Sequence, residues 1–307
     1  MSTAILTRSL TKDYGQGRGL FDLELEVDEG EVFGFLGPNG AGKSTTIRLL
    51  MALIHPTRGS ATIFDLDCQR RAVEVKRLVG YVPGELPEFG SLRGREIVAY
   101  IAGMAGGVDP AHVKQLTQRL GLDLSQRFRE YSRGNKQKLA LVLGFMRRPR
   151  LLILDEPTSG LDPLNQQEFY RMVAEVRAEG GTVFLSSHVL SEVEHICDHV
   201  GIIRAGNLVK VASLEELHAI RMHRVEIQFV AEPPMDRIRA ADGVDAVEAH
   251  GHRVSFVVRG TFAPVLAAIA DANVVELTSH EPSLEEMFLA YYSGVDDPEA
   301  PAPAAPS

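Results

Sequence analysis

A chain of 307 residues, 45% hydrophobic and 24% charged, has an ordinary globular composition and is long enough for one large domain and one small one. Its formal net charge of −9 argues against a broad nucleic-acid footprint, and two distant cysteines, Cys68 and Cys197, without partner ligands at metal spacing point to a reduced compartment. Met1 to Arg8 lacks the basic and apolar regions of a signal peptide, and no apolar run approaches the ~20 residues that span a bilayer, so any membrane role is expected to run through a partner.

Residues 3–63 alternate strand-like segments with turns. Within them Val32 to Leu36 is a short apolar run that reads as a buried strand, and Thr45 to Leu53 is apolar at helical spacing. Between the two lies Gly37-Pro38-Asn39-Gly40-Ala41-Gly42-Lys43-Ser44, a complete G-x-x-x-x-G-K-S phosphate-binding loop in the strand–loop–helix setting that the motif requires. Its three glycines are expected to let the backbone N–H groups of residues such as Asn39, Gly40, Ala41 and Thr45 turn toward phosphate oxygens at the positive end of the helix. Lys43 would reach the β- and γ-phosphates of a nucleotide, and the Ser44 hydroxyl would hold Mg²⁺. The competing reading, a glycine-rich turn that binds nothing, does not account for the full pattern with both flanks.

From about 86 to 147 the character changes. Glu96 to Ala105, His112 to Leu120 and Lys136 to Arg147 look helical, with no convincing strand between them. Strands return at 151–154, 182–185 and 200–203, interleaved with helical patterns, which predicts an α/β core with an inserted helical subdomain. The first of these strands, Leu151-Leu152-Ile153-Leu154, ends in Asp155 and Glu156. A buried parallel strand that delivers carboxylates at its C-terminal edge, where ligands sit in open α/β sheets, suits Asp155 for positioning Mg²⁺ and Glu156 for polarising a water beside the γ-phosphate. A core strand ending in two solvated acids would look the same without the loop upstream.

A second module begins near Met222. Strands at Val225 to Val230, Val244 to Ala249, Arg253 to Val258 and Asn273 to Thr278, with helices at Met235 to Ala241 and Phe262 to Ala272, give a β-α-β-β-α-β order, the ferredoxin-like pattern. Ser283 and Glu286 have capping-box spacing, and the Asp-, Pro- and Ala-rich stretch after Gly294 has too little apolar mass to fold. The expected domains are therefore 3–220, 222–293 and a disordered tail at 294–307.

Tyr131-Ser132-Arg133-Gly134-Asn135, just upstream of the Asp-Glu strand, resembles the signature loop of ATP-binding cassette (ABC) proteins, whose common form is Leu-Ser-Gly-Gly-Gln. On its own it would be an ordinary helix cap. Ser132 and Gly134 match the family positions that touch the γ-phosphate of the opposite subunit, while Arg133 and Asn135 depart from the common form. Further matches fall in family order. Ser159-Gly160-Leu161-Asp162 resembles the D-loop that crosses the dimer interface, and His188, after Ser186-Ser187, resembles the histidine that contacts the γ-phosphate. Tyr14 resembles the aromatic that stacks on adenine. Where the family usually has a glutamine after the strand ending at Val82, this chain reads Pro83-Gly84-Glu85, so either Glu85 takes over that glutamine's metal and coupling role or the contact is weakened.

The resemblance covers roughly residues 3–220, and the C-terminal module is similar to that of ATPase subunits from ABC-2 type exporters such as the daunorubicin-resistance group. It implies a P-loop NTPase core, ATP and Mg²⁺ as cofactors, a homodimer of nucleotide-binding domains, and an ABC-2 type transmembrane permease as partner. It also implies a place at the cytoplasmic face of the membrane and energised efflux of a drug, antibiotic or other hydrophobic compound. The alternative is a soluble ABC-type regulatory or non-transport ATPase. A translation-associated protein would carry two cassettes and a chromosome or repair ATPase a long coiled coil, and neither pattern occurs.

Overall fold

Short strands and helices alternate through the N-terminal two thirds of the chain. In the computed structural model, which describes residues 2–104, 106–214, 216 and 222–280, the chain divides after Leu214 into two compact units, close to the boundary near 220 suggested by the sequence. The first unit opens with β1 (Thr3–Asp13), β2 (Gly19–Asp28), β3 (Val32–Leu36), α1 (Lys43–Leu50), β4 (Arg58–Ile63), β5 (Leu66–Asp67), α2 (Ala72–Leu78) and β6 (Val79–Val82). Helices α3 (Gly94–Met104), α4 (Pro110–Arg119) and α5 (Arg133–Phe145) follow. The unit closes with β7 (Leu151–Asp155), α6 (Pro163–Ala178), β8 (Thr182–Ser187), α7 (Leu190–Ile196), β9 (His199–Arg204) and β10 (Asn207–Ser213).

Burial sorts these strands into two sheets. β2 alternates buried with exposed positions, as a strand with one solvated face does, and belongs to an antiparallel sheet of order β2-β1-β4-β5. By contrast β3, β7 and β8 are buried along their whole lengths, the mark of parallel strands covered on both sides. They form the middle of a second sheet, β10-β9-β3-β8-β7-β6, in which every pairing but β10–β9 is parallel. Phe184 of β8 lies between Phe33 and Phe35 of β3, with ring centroids 5.9 Å and 5.5 Å away. Full burial of each such ring contributes about 1.5–3 kcal/mol to the packing of the two neighbouring strands.

Between β6 and β7 the described residues form helices and a short 3₁₀ turn at Phe128–Glu130, and the only β-type pairing is an isolated bridge between Arg93 and Arg127. This helical insert has its own aromatic centre. Phe128 is fully buried, 5.3 Å from Phe89 and 6.4 Å from Tyr131, with Lys136 Nζ 4.6 Å above its ring. Arg119 at the end of α4 fastens the insert to α6 through Glu168 at 2.5 Å and Glu175 at 2.6 Å.

In the second unit β11 (Met222–Phe229), α8 (Met235–Arg239), β12 (Val244–His250), β13 (Arg253–Arg259), α9 (Ala263–Ile269) and β14 (Val274–His280) follow one another. Their sheet runs β12-β13-β11-β14 with all pairings antiparallel, the ferredoxin-like arrangement. Val225, Ile227 and Phe229 of β11 alternate inward and pack with Phe256 of β13, Ile238 of α8 and Val265 of α9. The cap at Ser283 and Glu286 and the tail expected from 294 lie outside the described residues.

Candidate functional site

Strand register gathers the site. Leu36 at the end of β3 pairs with Ser187 of β8, and Asp155 at the end of β7 pairs with Ser186. The C-terminal ends of three adjacent parallel strands therefore release the phosphate loop, the Asp155-Glu156 pair and the Ser187-His188 turn side by side, at the edge where ligands bind in open α/β sheets.

The loop residues divide their tasks. Gly40 and Gly42 have φ of 81° and 112°, the left-handed backbone expected of them. Gly37 is needed for another reason: a Cβ there would stand 2.3 Å from the Ile203 carbonyl oxygen of β9, so the requirement is close packing and not a turn. Ala41 is buried and anchors the loop, its N–H donating to Pro38 O at 3.1 Å and its carbonyl accepting from Gly206 N–H at 2.9 Å. Asn39 is exposed at the rim. Helix α1 starts after Gly42 with no side-chain cap, which leaves the first-turn amides of Lys43, Ser44 and Thr45 directed at an anion site.

Lys43 is 5% exposed, and its ammonium curls back to donate to Gly37 O at 2.6 Å and Pro38 O at 3.2 Å. It also stands 3.5 Å from Glu156 Oε1. Burial draws its pKa below that of an exposed lysine, against Glu156 and Asp155, whose charges act to raise it. The result is a cation held inside the loop by partners that a phosphate can replace.

Asp155 Oδ1 accepts hydrogen bonds from Ser186 Oγ at 2.7 Å and Ser44 Oγ at 3.2 Å. Glu156 has a φ of 49°, unusual for a residue with a side chain, and its N–H donates to Ser186 O at 3.2 Å and Ser186 Oγ at 3.1 Å. Its carboxylate is partly open to solvent, with Oε1 3.3 Å from His188 Nδ1. Among the described residues no group of three or more His, Cys, Asp or Glu could hold a metal by itself. Ser44 and Asp155 supply two converging oxygens, a donor set that suits a Mg²⁺ ion arriving with phosphates and waters for its remaining positions.

The other expected residues lie apart from this network, since no hydrogen bond or ion pair among the described residues joins Ser132, Gly134, Asp162 or Tyr14 to it directly. Ser132 caps α5, accepting from Asn135 N–H at 3.2 Å. Gly134 packs against the D-loop segment of its own chain, where a Cβ would come within 2.8 Å of Gly160 O. Arg133 extends the same contact, donating to Ser159 Oγ at 2.7 Å. Asp162 caps α6, accepting from Asn165 N–H at 3.0 Å, and that bond with a second from the Asn165 amide holds its pKa down. Tyr14 is exposed, with Lys12 Nζ 5.6 Å from its ring centroid. After β6 the residue beside Asp155 is Gly84, whose added Cβ would stand 3.7 Å from Asp155 Oδ2, and Glu85 follows it exposed.

Two participants went unrecognised in the sequence. Ser186 is fully buried and touches both carboxylate residues, and its only signal is a polar pair closing an apolar strand. Gln137 is also buried and donates to Pro157 O at 2.8 Å, bracing the turn after Glu156; a glutamine one turn into a helix carries no such message.

Residues 20–159 match the family model described as ABC transporter. The chain is 38% identical over 233 residues to the bacitracin transport ATP-binding protein BcrA of Bacillus licheniformis, covering 75% of this chain and 76% of that protein. It is 35% identical to the lantibiotic transport ATP-binding protein SrtF of Streptococcus pyogenes, over 66% of this chain and 87% of that one. Among solved structures, an ATP-binding subunit of an ABC transporter matches with a TM-score of 0.64 and 31% identity, covering 70% of this chain and 92% of that chain.

Proposed function

Because the chain belongs to the ABC transporter ATP-binding family, we propose that it hydrolyses Mg²⁺-bound ATP as a homodimer and so drives a separate ABC-2 type permease at the cytoplasmic face of the membrane. No helix among the described residues is long and apolar enough to cross a membrane, so the transport path is assigned to the partner. The relatives named for bacitracin and lantibiotic transport support an antibiotic, drug or other hydrophobic compound as the exported substrate.

The observation that carries this reading is the meeting of Lys43, Ser44, Asp155, Glu156 and His188 in one network. Loop amides from residues 39–45 and the Lys43 ammonium bind the β- and γ-phosphates, with Lys43 giving up Gly37 O and Pro38 O for phosphate oxygens and thereby freeing Glu156. Mg²⁺, when bound, neutralises phosphate charge, and Ser44 and Asp155 are the residues that would hold it. Glu156 polarises the attacking water, and His188 turns from Glu156 to the γ-phosphate. Tyr14 offers its exposed face to adenine. Ser132, Gly134 and Asp162, set apart from this network, serve the site of the second subunit.

Hydrolysis and transport measured together in the complex with the permease test the coupling. Glu85, exposed one residue past the Gly84 that lies beside Asp155, is assigned a role in coupling hydrolysis to the permease, so Glu85→Ala is expected to lower ATPase activity modestly, within about threefold, and transport by a larger factor. Equal, small losses would leave Glu85 without a coupling role, and ATPase activity indifferent to any membrane partner would overturn the permease assignment. The composite site has its own test. Ser132→Arg subunits mixed with Lys43→Ala subunits should regain activity, since one of the two sites in the heterodimer then lacks both lesions; heterodimers that form without any recovery would argue against sharing.

A further inference from the structure

Resting on the roles proposed above for Glu156 and His188, we infer that Glu192 is a positioning residue that locks the turn carrying Glu156 to the turn carrying His188. One Glu192 oxygen, Oε1, accepts from Thr158 Oγ1 at 2.5 Å, and the other, Oε2, accepts from Ser187 Oγ at 2.7 Å. Thr158 lies two residues after Glu156, and Ser187 immediately precedes His188. Both hydroxyl residues are buried, at 4% and 1% exposure, so neither can exchange the carboxylate for bulk water without moving its turn. Ser187 Oγ also accepts from Val189 N–H at 2.9 Å, which fixes the hydroxyl and carries the brace into the start of α7.

An acidic residue in the first turn of a helix ordinarily reaches back to cap it. Glu192 stands in that turn of α7, yet its oxygens bond across to Thr158 and Ser187, and Val189 has no side-chain cap. The demand for such a brace comes from the backbone of Glu156. Its left-handed φ of 49° is strained for a residue with a Cβ and persists only where neighbours over-determine it. Three contacts do so: Ser186 takes the Glu156 N–H, Gln137 takes the Pro157 carbonyl from the α5 side, and Glu192 takes the Thr158 hydroxyl from the α7 side. Of the three, Glu192 alone also holds the His188 turn. It therefore sets how the two turns lie against each other, which in the nucleotide-free chain brings His188 Nδ1 to 3.3 Å from Glu156 Oε1.

The test compares Glu192→Ala, Glu192→Gln and the double variant Thr158→Val with Glu192→Ala. Glu192→Ala should lower kcat for ATP about 10- to 100-fold, with KM for ATP within about twofold of the parent, as loss of positioning around an otherwise complete site does. Glu192→Gln keeps an acceptor for Thr158 and an amide that can donate to Ser187 Oγ, and should recover most of the rate. The double variant should be no slower than Glu192→Ala alone, because both changes break the same link. In the nucleotide-free protein the imidazole NMR resonances of His188 should shift in Glu192→Ala and return in Glu192→Gln, a readout independent of turnover. Parental kcat in Glu192→Ala, additive losses in the double variant, or an unmoved His188 signal would each overturn the inference. A parent chain that hydrolyses no ATP would refute the hydrolytic reading instead, while the His188 signal would still decide the brace.

Discussion

Glu156→Gln is expected to lower ATP turnover about 100- to 10,000-fold, the range that a lost general base costs, while ATP still binds. The substitution leaves the backbone alone: the N–H at 156 still donates to Ser186, and the amide fills the volume of the carboxylate between Lys43 and His188. What disappears is the charge that, in the proposed mechanism, draws a proton from water. If two subunits close on Mg²⁺ and ATP and reopen on hydrolysis, as proposed, size-exclusion chromatography should show a dimer that the parent chain does not accumulate. Parental turnover in the variant would remove Glu156 from the chemistry, and a monomer under every nucleotide condition would count against closure on ATP by this chain alone.

Lys43→Ala should be more severe at the binding step. Loss of one charge-assisted contact to phosphate is expected to weaken ATP binding about 10- to 100-fold. Turnover should fall a further ~100- to 1000-fold, because the same cation stabilises charge developing on the transferred phosphoryl group. Stability should not follow. The ammonium is 5% exposed and disfavoured by burial, whereas its partner Glu156 remains 28% exposed and can be hydrated when the lysine is gone. The melting temperature is therefore expected to stay within about 3 °C of the parent. Titration calorimetry and labelled-ATP turnover check the two losses, and a variant that binds and hydrolyses ATP as the parent does would overturn the phosphate-loop assignment.

Local chemistry made much of this protein legible in its sequence. A loop that wraps phosphate needs glycines free to take positive φ, a lysine and a hydroxyl at fixed spacing, and Gly40, Gly42, Lys43 and Ser44 satisfy that demand within a few residues. Strands covered on both faces need unbroken apolar runs, which located β7 and β8 and the residues at their ends. Alternation in the C-terminal module specified its β-α-β-β-α-β order for the same reason, each element being set by the period of its own side chains.

Tertiary structure decided what depends on neighbours distant in the chain. Nothing local places β8 between β3 and β7, yet that order is what brings Ser44 within hydrogen-bond reach of Asp155 across 111 positions. Gly37 reads as a turn glycine until Ile203 is seen against it, and the close approach of Gly134 to Gly160 of its own chain is not visible in the sequence at all. Glu192 looks like any first-turn acid until Thr158, 34 positions away, and Ser187 close on it. Period and turn chemistry are written residue by residue, so a sequence displays them directly. Strand order, close backbone approach and bonds between loops arise when separate elements pack, and are fixed only by the surfaces that packing brings together.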